Sequence, residues 1–178
     1  FVVLGLSKTV GDDVNEMACN DNGIPILKRC SGGGTVLQGP GCFNYGYILP
    51  ISHAPELKSL TDTTAFILNK VKDVLSPAIS GIELKGISDL TINDIKFSGN
   101  AQRRLKNAIL FHGTILYDFD LGLISNYLKE PPVQPEYRNR RNHGDFINNI
   151  AINKDELVQL FFNSDAYKPL DACNIREL

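Results

Sequence analysis

The apolar positions of this chain follow two periods, and the change between them predicts its elements. Phe1–Leu6 is a continuous apolar run of strand length. Asp12–Cys19 reads as a short helix closed by the turn residues Asn20–Gly23, and Ile24–Cys30 as a strand that runs straight into three glycines. Thr35–Leu37 and Phe43–Ile51 are the next strands, separated by Gly39-Pro40-Gly41, and the second is rich in aromatic and β-branched residues. Pro55 opens the clearest helix, with Leu57, Leu60, Ile67, Leu68, Val71, Val74 and Leu75 at helical spacing. Ile82–Lys85, Leu90–Ile92 and Ile95–Phe97 are short strands, and Asn107–Tyr117 is a long apolar strand interrupted by His112 and Gly113. Leu121, Ile124 and Leu128 mark a helix that stops before Pro131-Pro132. An irregular basic loop runs from Pro131 to Gly144. Asn153 with Glu156 is a capping-box pattern opening a helix that carries Leu157, Leu160 and Phe161. Strands and helices do not alternate one for one, so the expected class is α+β rather than a doubly wound sheet.

Composition narrows the functions. The chain has 178 residues, the size of one domain, so 1–178 is expected to fold as a single unit. Hydrophobic residues make up 43% and charged residues 21%, which is ordinary for a globular protein. A net charge of −2 gives no global electrostatic case for nucleic acid. Apolar runs such as Ala65–Leu68 are too short to span a bilayer, and the start carries no signal-peptide pattern, so a cytoplasmic protein is expected. Cys19, Cys30, Cys42 and Cys173 show no CxxC or Cys/His metal spacing and read as reduced thiols.

Two segments carry chemistry. Arg29-Cys30-Ser31-Gly32-Gly33-Gly34-Thr35 joins a cation to a backbone that a ligand can approach closely. It lacks the Gly-Lys-Ser/Thr of a phosphate loop, and a wide turn between strands is its bland reading. Lys96-Phe97-Ser98-Gly99-Asn100-Ala101 pairs a lysine with small residues, where an exposed strand lysine is the plain alternative. Asp89, after Ser88, is otherwise a turn residue, but beside a phosphate it could hold Mg²⁺. His112 is more simply a satisfied core histidine. Arg103 and Arg104 include at least one solvated arginine on this reading. Cys30 and Cys42 adjoin glycine motifs, with no base identifiable for either. The basic loop Arg138–His143 is solvated, docks an acidic partner or folds over the site.

Four segments in order resemble the lipoate–protein ligase A family, within the wider biotin/lipoate ligase catalytic fold, which is class II synthetase-like. They are Arg29–Val36, Gly86-Ile87-Ser88-Asp89-Leu90, Lys96–Ala101 and His112-Gly113-Thr114-Ile115-Leu116, and the likeness runs to about Leu170. The resemblance implies a mixed, largely antiparallel sheet flanked by helices. It implies activation of lipoate by ATP to lipoyl-AMP, then transfer to a lysine of a lipoyl domain, in a 2-oxoacid dehydrogenase complex or the glycine cleavage H protein. Lys96 then matches the lysine that contacts the acyl carbonyl and phosphate, a charge stabiliser. Arg29, Ser31, Gly32, Gly33, Gly34 and Thr35 would line the acyl tail and adenylate, with Ser88, Ser98, Gly99, Ala101, His112 and Gly113 around them. Asp89 matches the residue near Mg²⁺ and the nucleotide.

Three departures accompany the resemblance. Cys42 stands where the family has an asparagine, and Asn44, on the same face of a strand, is its substitute. The family's N-terminal helix and first strand are not found before Phe1. No small accessory C-terminal domain follows, so a separate accessory subunit is expected to serve the adenylation step, or the chain only performs the transfer. Two alternatives remain: an ATP-independent octanoyltransferase drawing on acyl carrier protein, with Cys42 as the thiol in question, and a non-catalytic acyl- or nucleotide-binding protein.

Overall fold

The computed structural model describes residues 1–164. Cys173 and the end of the motif likeness at Leu170 lie outside them. Two sheets form the scaffold. The larger has five strands in the order β4-β8-β7-β6-β5: β4 (Cys42–Pro50), β5 (Ile82–Lys85), β6 (Asp89–Ile92), β7 (Ile95–Arg104) and β8 (Ala108–Leu116). All its pairings are antiparallel. The smaller sheet has β1 (Val2–Leu4) at its centre, parallel to β2 (Ile26–Lys28) and antiparallel to β3 (Val36–Leu37). The glycine segment therefore does not turn one hairpin. It carries the chain from one edge of the small sheet to the other, over β1.

Alternation along β8 explains how the large sheet divides its two faces. Ile109, Phe111, Gly113 and Ile115 are buried, while Leu110, His112, Thr114 and Leu116 between them are partly exposed. The buried face packs on α3 (Leu60–Leu75) through Ile67, Leu68, Val71 and Leu75, each at most 1% exposed. Burying each of these aliphatic side chains contributes roughly 1.5–3 kcal/mol. α6 (Lys154–Phe162) closes the same core with Leu157. A second cluster lies beneath the small sheet and gathers Val2, Leu4, Leu37, Phe119, Ile124 and Leu128.

Several elements differ from the sequence expectation for physical reasons. Pro55–Lys58 is a 3-10 turn, and Ser59 caps the long helix proper by accepting from the Asp62 amide at 3.0 Å. The expected helix over Asp12–Cys19 is two short ones, α1 (Val10–Asp13) and α2 (Glu16–Asp21), because Val14 leaves helical geometry to bridge Leu128. The strand expected at Ile95–Phe97 runs on to Arg104, since β6 and β8 pair with it from both sides. His112 and Gly113 do not interrupt β8. Arg104 is not solvated: it donates to the carbonyls of Leu57, Lys58 and Ser59 and so fixes the start of α3. Arg103 donates to the Cys30 carbonyl at 2.7 Å. α4 (Gly122–Tyr127) is followed by residues 129–147, a strap that holds a 3-10 turn at Glu136–Arg138 and α5 (His143–Phe146). The strap returns to the large sheet by a bridge between Ile147 and Lys96.

Candidate active site

A cavity of about 280 Å³ lies between the partly exposed face of the large sheet, the small sheet, α4 and the strap. Its walls are of two kinds. Val36, Leu37, Leu116, Phe119, Ile124, Leu128 and Ile147 make an apolar wall, and Lys96, Asp89, Lys8, Asp13, Gln38 and Thr114 bring polar groups to it.

A register irregularity places Lys96. Leu90 pairs with Ser98 but Thr91 pairs with Lys96, so Phe97 is the extra residue of a β-bulge. Without the bulge, Lys96 and Gly99 would point to opposite faces. With it, Phe97 enters the core, 2% exposed, while Lys96 reaches the face that carries Gly99 and Asp89. A Cβ on Gly99 would stand 3.1 Å from both the Cε and the Nζ of Lys96. Glycine thus leaves the room in which the lysine lies. The ammonium meets Asp89 Oδ1 at 2.7 Å, and the Tyr137 hydroxyl donates to Asp89 Oδ2 at 2.6 Å. Burial and the Asp89 charge push the Tyr137 phenol up, so it stays a donor.

The glycine segment is held from inside by its own arginine. Arg29 Nη2 donates to the Gly32 and Gly34 carbonyls at 2.6 and 2.7 Å, Nε donates to Ser31 Oγ, and Nη1 reaches the Val3 carbonyl. Its guanidinium is therefore committed to loop carbonyls rather than presented to the cavity, where the sequence reading put it. Gly33 needs its glycine, with φ +88° and the Arg29 Nη2 only 3.0 Å from where a Cβ would stand. Ser31 Oγ meets His112 Nε2 at 2.6 Å, which ties the loop to β8. At its far end, Thr35 donates to the buried Asp13 at 2.5 Å, and Lys8 approaches the same carboxylate at 3.4 Å.

Of the expected site residues, Gly34, Thr35, Asp89, Lys96, Ser98 and Gly99 line the cavity. Arg29, Ser31, Gly32 and Gly33 build the loop behind it. Ala101 packs on Gly33, and His112 sits under Ser31. Gly113 points into the core, where a side chain would overlap Asn100, and Ser88 donates to the Asn100 carbonyl at 2.8 Å. Asn44 closes a ring in which its amide donates to Gln38, Gln38 donates to Thr114, and Thr114 donates back to Asn44. Gln38 and Thr114 present that ring to the cavity. Thr114 had a legible signal, two residues after His112 on the same strand face. Asp13, Phe119 and Tyr137 had none beyond their apolar or turn context.

Asp89 was also the expected metal ligand. Both its oxygens are engaged, and among the described residues no group of three or more His, Cys, Asp or Glu side chains could hold a metal ion. The described residues do not form a protein cage for Mg²⁺. Burial raises the Cys42 thiol, which disfavours the thiolate a nucleophile needs.

Burial, and then Arg29, lower the His112 pKa below its ordinary value near 6.5. The unfolded chain therefore binds the proton more readily than the folded one, and stability falls as pH drops through about 6.5 toward the folded value. Thermal melts from about pH 7.5 to about pH 5.5 should show a shallower decline for His112→Gln than for the unaltered protein. Equal slopes would remove His112 from the pH dependence.

A carboxylate or phosphoryl head joined to an apolar chain suits such walls: cations and donors at one part, aliphatic and aromatic carbon at the other. The lipoyl protein ligase A/B catalytic domain model matches residues 1–157, and the chain belongs to that family. Lipoate–protein ligase 1 of Staphylococcus aureus is 26% identical over 140 residues, covering 75% of this chain and 39% of its own length. The fold superposes on a structure of a bi-partite lipoate protein ligase and its E2 lipoyl domain from Thermoplasma acidophilum, with a TM-score of 0.72 and 22% identity over 90% of this chain and 66% of that one. It also matches a lipoate-protein ligase A solved with ATP bound, with a TM-score of 0.68 and 23% identity over 90% and 67% of the two chains. The chain spans 29–39% of the length of these curated relatives. No helix among the described residues is long and apolar enough to cross a membrane.

Proposed function

We propose that this chain is the catalytic part of a lipoate–protein ligase. It binds lipoate and ATP, forms lipoyl-AMP with release of pyrophosphate, and transfers the lipoyl group to a lysine ε-amine of a lipoyl domain. The observation that carries the reading is the Lys96 ammonium, laid over Gly99 in a cavity that also offers a wall of apolar side chains. The lipoyl chain would lie along Leu116, Phe119, Ile124 and Leu128, with the mixed anhydride beside Lys96. When the acceptor amine attacks the acyl carbon, negative charge grows on the carbonyl oxygen, and a fixed cation there lowers the barrier. The acyl–phosphate bond breaks, AMP leaves, and an amide remains. Family membership and a neighbour solved with ATP support the nucleotide. On this reading Asp89 serves Lys96 rather than a metal ion.

The relatives are longer than this chain, and one structural neighbour belongs to a bi-partite ligase. We therefore assign the activation step a second component, in the same polypeptide or in a separate partner. Lipoyl domains of 2-oxoacid dehydrogenase complexes, or the glycine cleavage H protein, are the acceptors on this reading. Lipoate-dependent release of pyrophosphate from ATP, measured on the protein with and without such a component, tests the assignment. Release that never depends on lipoate would sink it.

The raised Cys42 thiol weighs against the octanoyltransferase alternative.

A further inference from the structure

The strap is joined to Lys96 twice, and one of the joints passes through a side chain. Where the strap ends, the amide of the next residue, Asn148, donates to the Lys96 carbonyl at 2.9 Å, which fixes the lysine's backbone. The side-chain route runs from Tyr137 to Asp89 to Lys96, with 2.6 and 2.7 Å between successive polar atoms.

Each member of this chain lies on a different element. Tyr137 is in the 3-10 turn of the strap, Asp89 opens β6, and Lys96 is beside the bulge of β7. The Tyr137 ring is held on two sides. It lies 5.3 Å, centroid to centroid, from Phe146, and it abuts Gly86, whose φ of +58° turns the chain between β5 and β6. A Cβ on Gly86 would come within 3.1 Å of the tyrosine ring. Arg141 fixes the strap to the sheet by donating to the Asp94 carbonyl at 2.8 Å and to the Tyr137 carbonyl at 2.9 Å. The hydroxyl is thus delivered to Asp89 by the docked strap.

A lysine side chain has four rotatable bonds and many staggered states. A single carboxylate limits them only if the carboxylate is itself fixed, since it too can rotate. Asp89 is 8% exposed, and with one oxygen on each donor its plane is set. The hydroxyl also takes up part of the carboxylate's charge. Less of that charge then acts on the ammonium, which keeps its field for a ligand.

We propose that Tyr137 is a positioning residue for Lys96, acting through Asp89, so that docking of the strap assembles the cation of the site. The proposal rests on the functional reading above. The Tyr137→Phe substitution removes the hydroxyl and keeps the ring against Phe146 and Gly86. The probe is a non-reactive sulfamoyl analogue of lipoyl-adenylate, with affinity measured by calorimetry on four proteins: unaltered, Tyr137→Phe, Lys96→Ala and the double variant. The expected result is a loss of roughly tenfold for Tyr137→Phe in the unaltered background and none in the Lys96→Ala background, because residues acting as one unit are not additive. Equal losses in both backgrounds would mean that Tyr137 touches the ligand or merely supports the strap, and would overturn the proposal. So would no loss in the unaltered background. An unaltered protein that binds no probe would overturn the functional reading itself, and the two failures are thereby told apart.

Discussion

Lys96→Ala is expected to lower lipoyl transfer by roughly 10²–10³-fold while the protein stays folded, because the side chain supplies charge to the transition state rather than packing to the core. The core contacts of β7 are made by Phe97, which the bulge turns inward, and the lysine itself is about a quarter exposed. Its loss leaves Asp89 with the Tyr137 hydroxyl as a donor, which limits the cost to the fold. Single-turnover transfer from pre-formed lipoyl-adenylate, run beside circular dichroism, checks both halves of the expectation. Unchanged transfer by a folded variant would take Lys96 out of the chemistry.

Gly5→Ala is expected to have the next largest effect, at a residue that never enters the cavity. A methyl group at Gly5 would overlap the Gly33 carbonyl and stand 3.3 Å from the Arg29 guanidinium. The carbonyl belongs to backbone, and Gly33 already holds a positive φ, so neither partner can retreat by a side-chain rotation. Overpacking of this kind costs roughly 1–3 kcal/mol. The strain would push the glycine segment off the small sheet and displace Gly34 and Thr35, which line the cavity. The α3 core against Phe97 and Phe111 lies on the other face of the large sheet and should persist. Ligand affinity should therefore fall by tenfold or more, with only a modest fall in melting temperature. Normal affinity in Gly5→Ala would show that the glycine segment does not shape the site.

The two variants mark what could and could not be read from the residues. The helix α3 was legible because six apolar positions from Leu60 to Leu75 repeat at its period, and the capping of α6 by Asn153 was legible because the cap is local. The α+β class was legible because strands and helices do not alternate one for one, and the family likeness because four short motifs occur in order. Lys96 came from those motifs, yet its orientation did not. It depends on the bulge at Phe97, which is a matter of register between β6 and β7 and leaves no mark in the chain. The strand end at Arg104 was missed because Gly99 and Asn100 argue locally for a turn, and pairing on both sides overrides that preference. Arg29 was read as a ligand contact because a cation beside glycines is the pattern of an anion site. The fold uses it otherwise, since a loop crossing over β1 leaves carbonyls that only a nearby multiple donor can satisfy. Gly113 was named around the ligand from the motif alone, and alternation along β8 puts it on the buried face, with Thr114 on the other. The strap was the least legible part. Its prolines and polar residues carry no period, and the reach of Tyr137 to Asp89 joins residues 48 positions apart.

The central claim is that Lys96, held over Gly99, acts on an acyl-adenylate in transfer to a protein lysine. Intact-mass spectrometry of an apo lipoyl domain, incubated with this protein and supplied lipoyl-adenylate, tests it without requiring the activation step. The account predicts a gain of one lipoyl group on the domain's acceptor lysine, nearly absent with Lys96→Ala and absent when the acceptor lysine is replaced. No gain with the unaltered protein beyond the protein-free control, or an equal gain with Lys96→Ala, would contradict it.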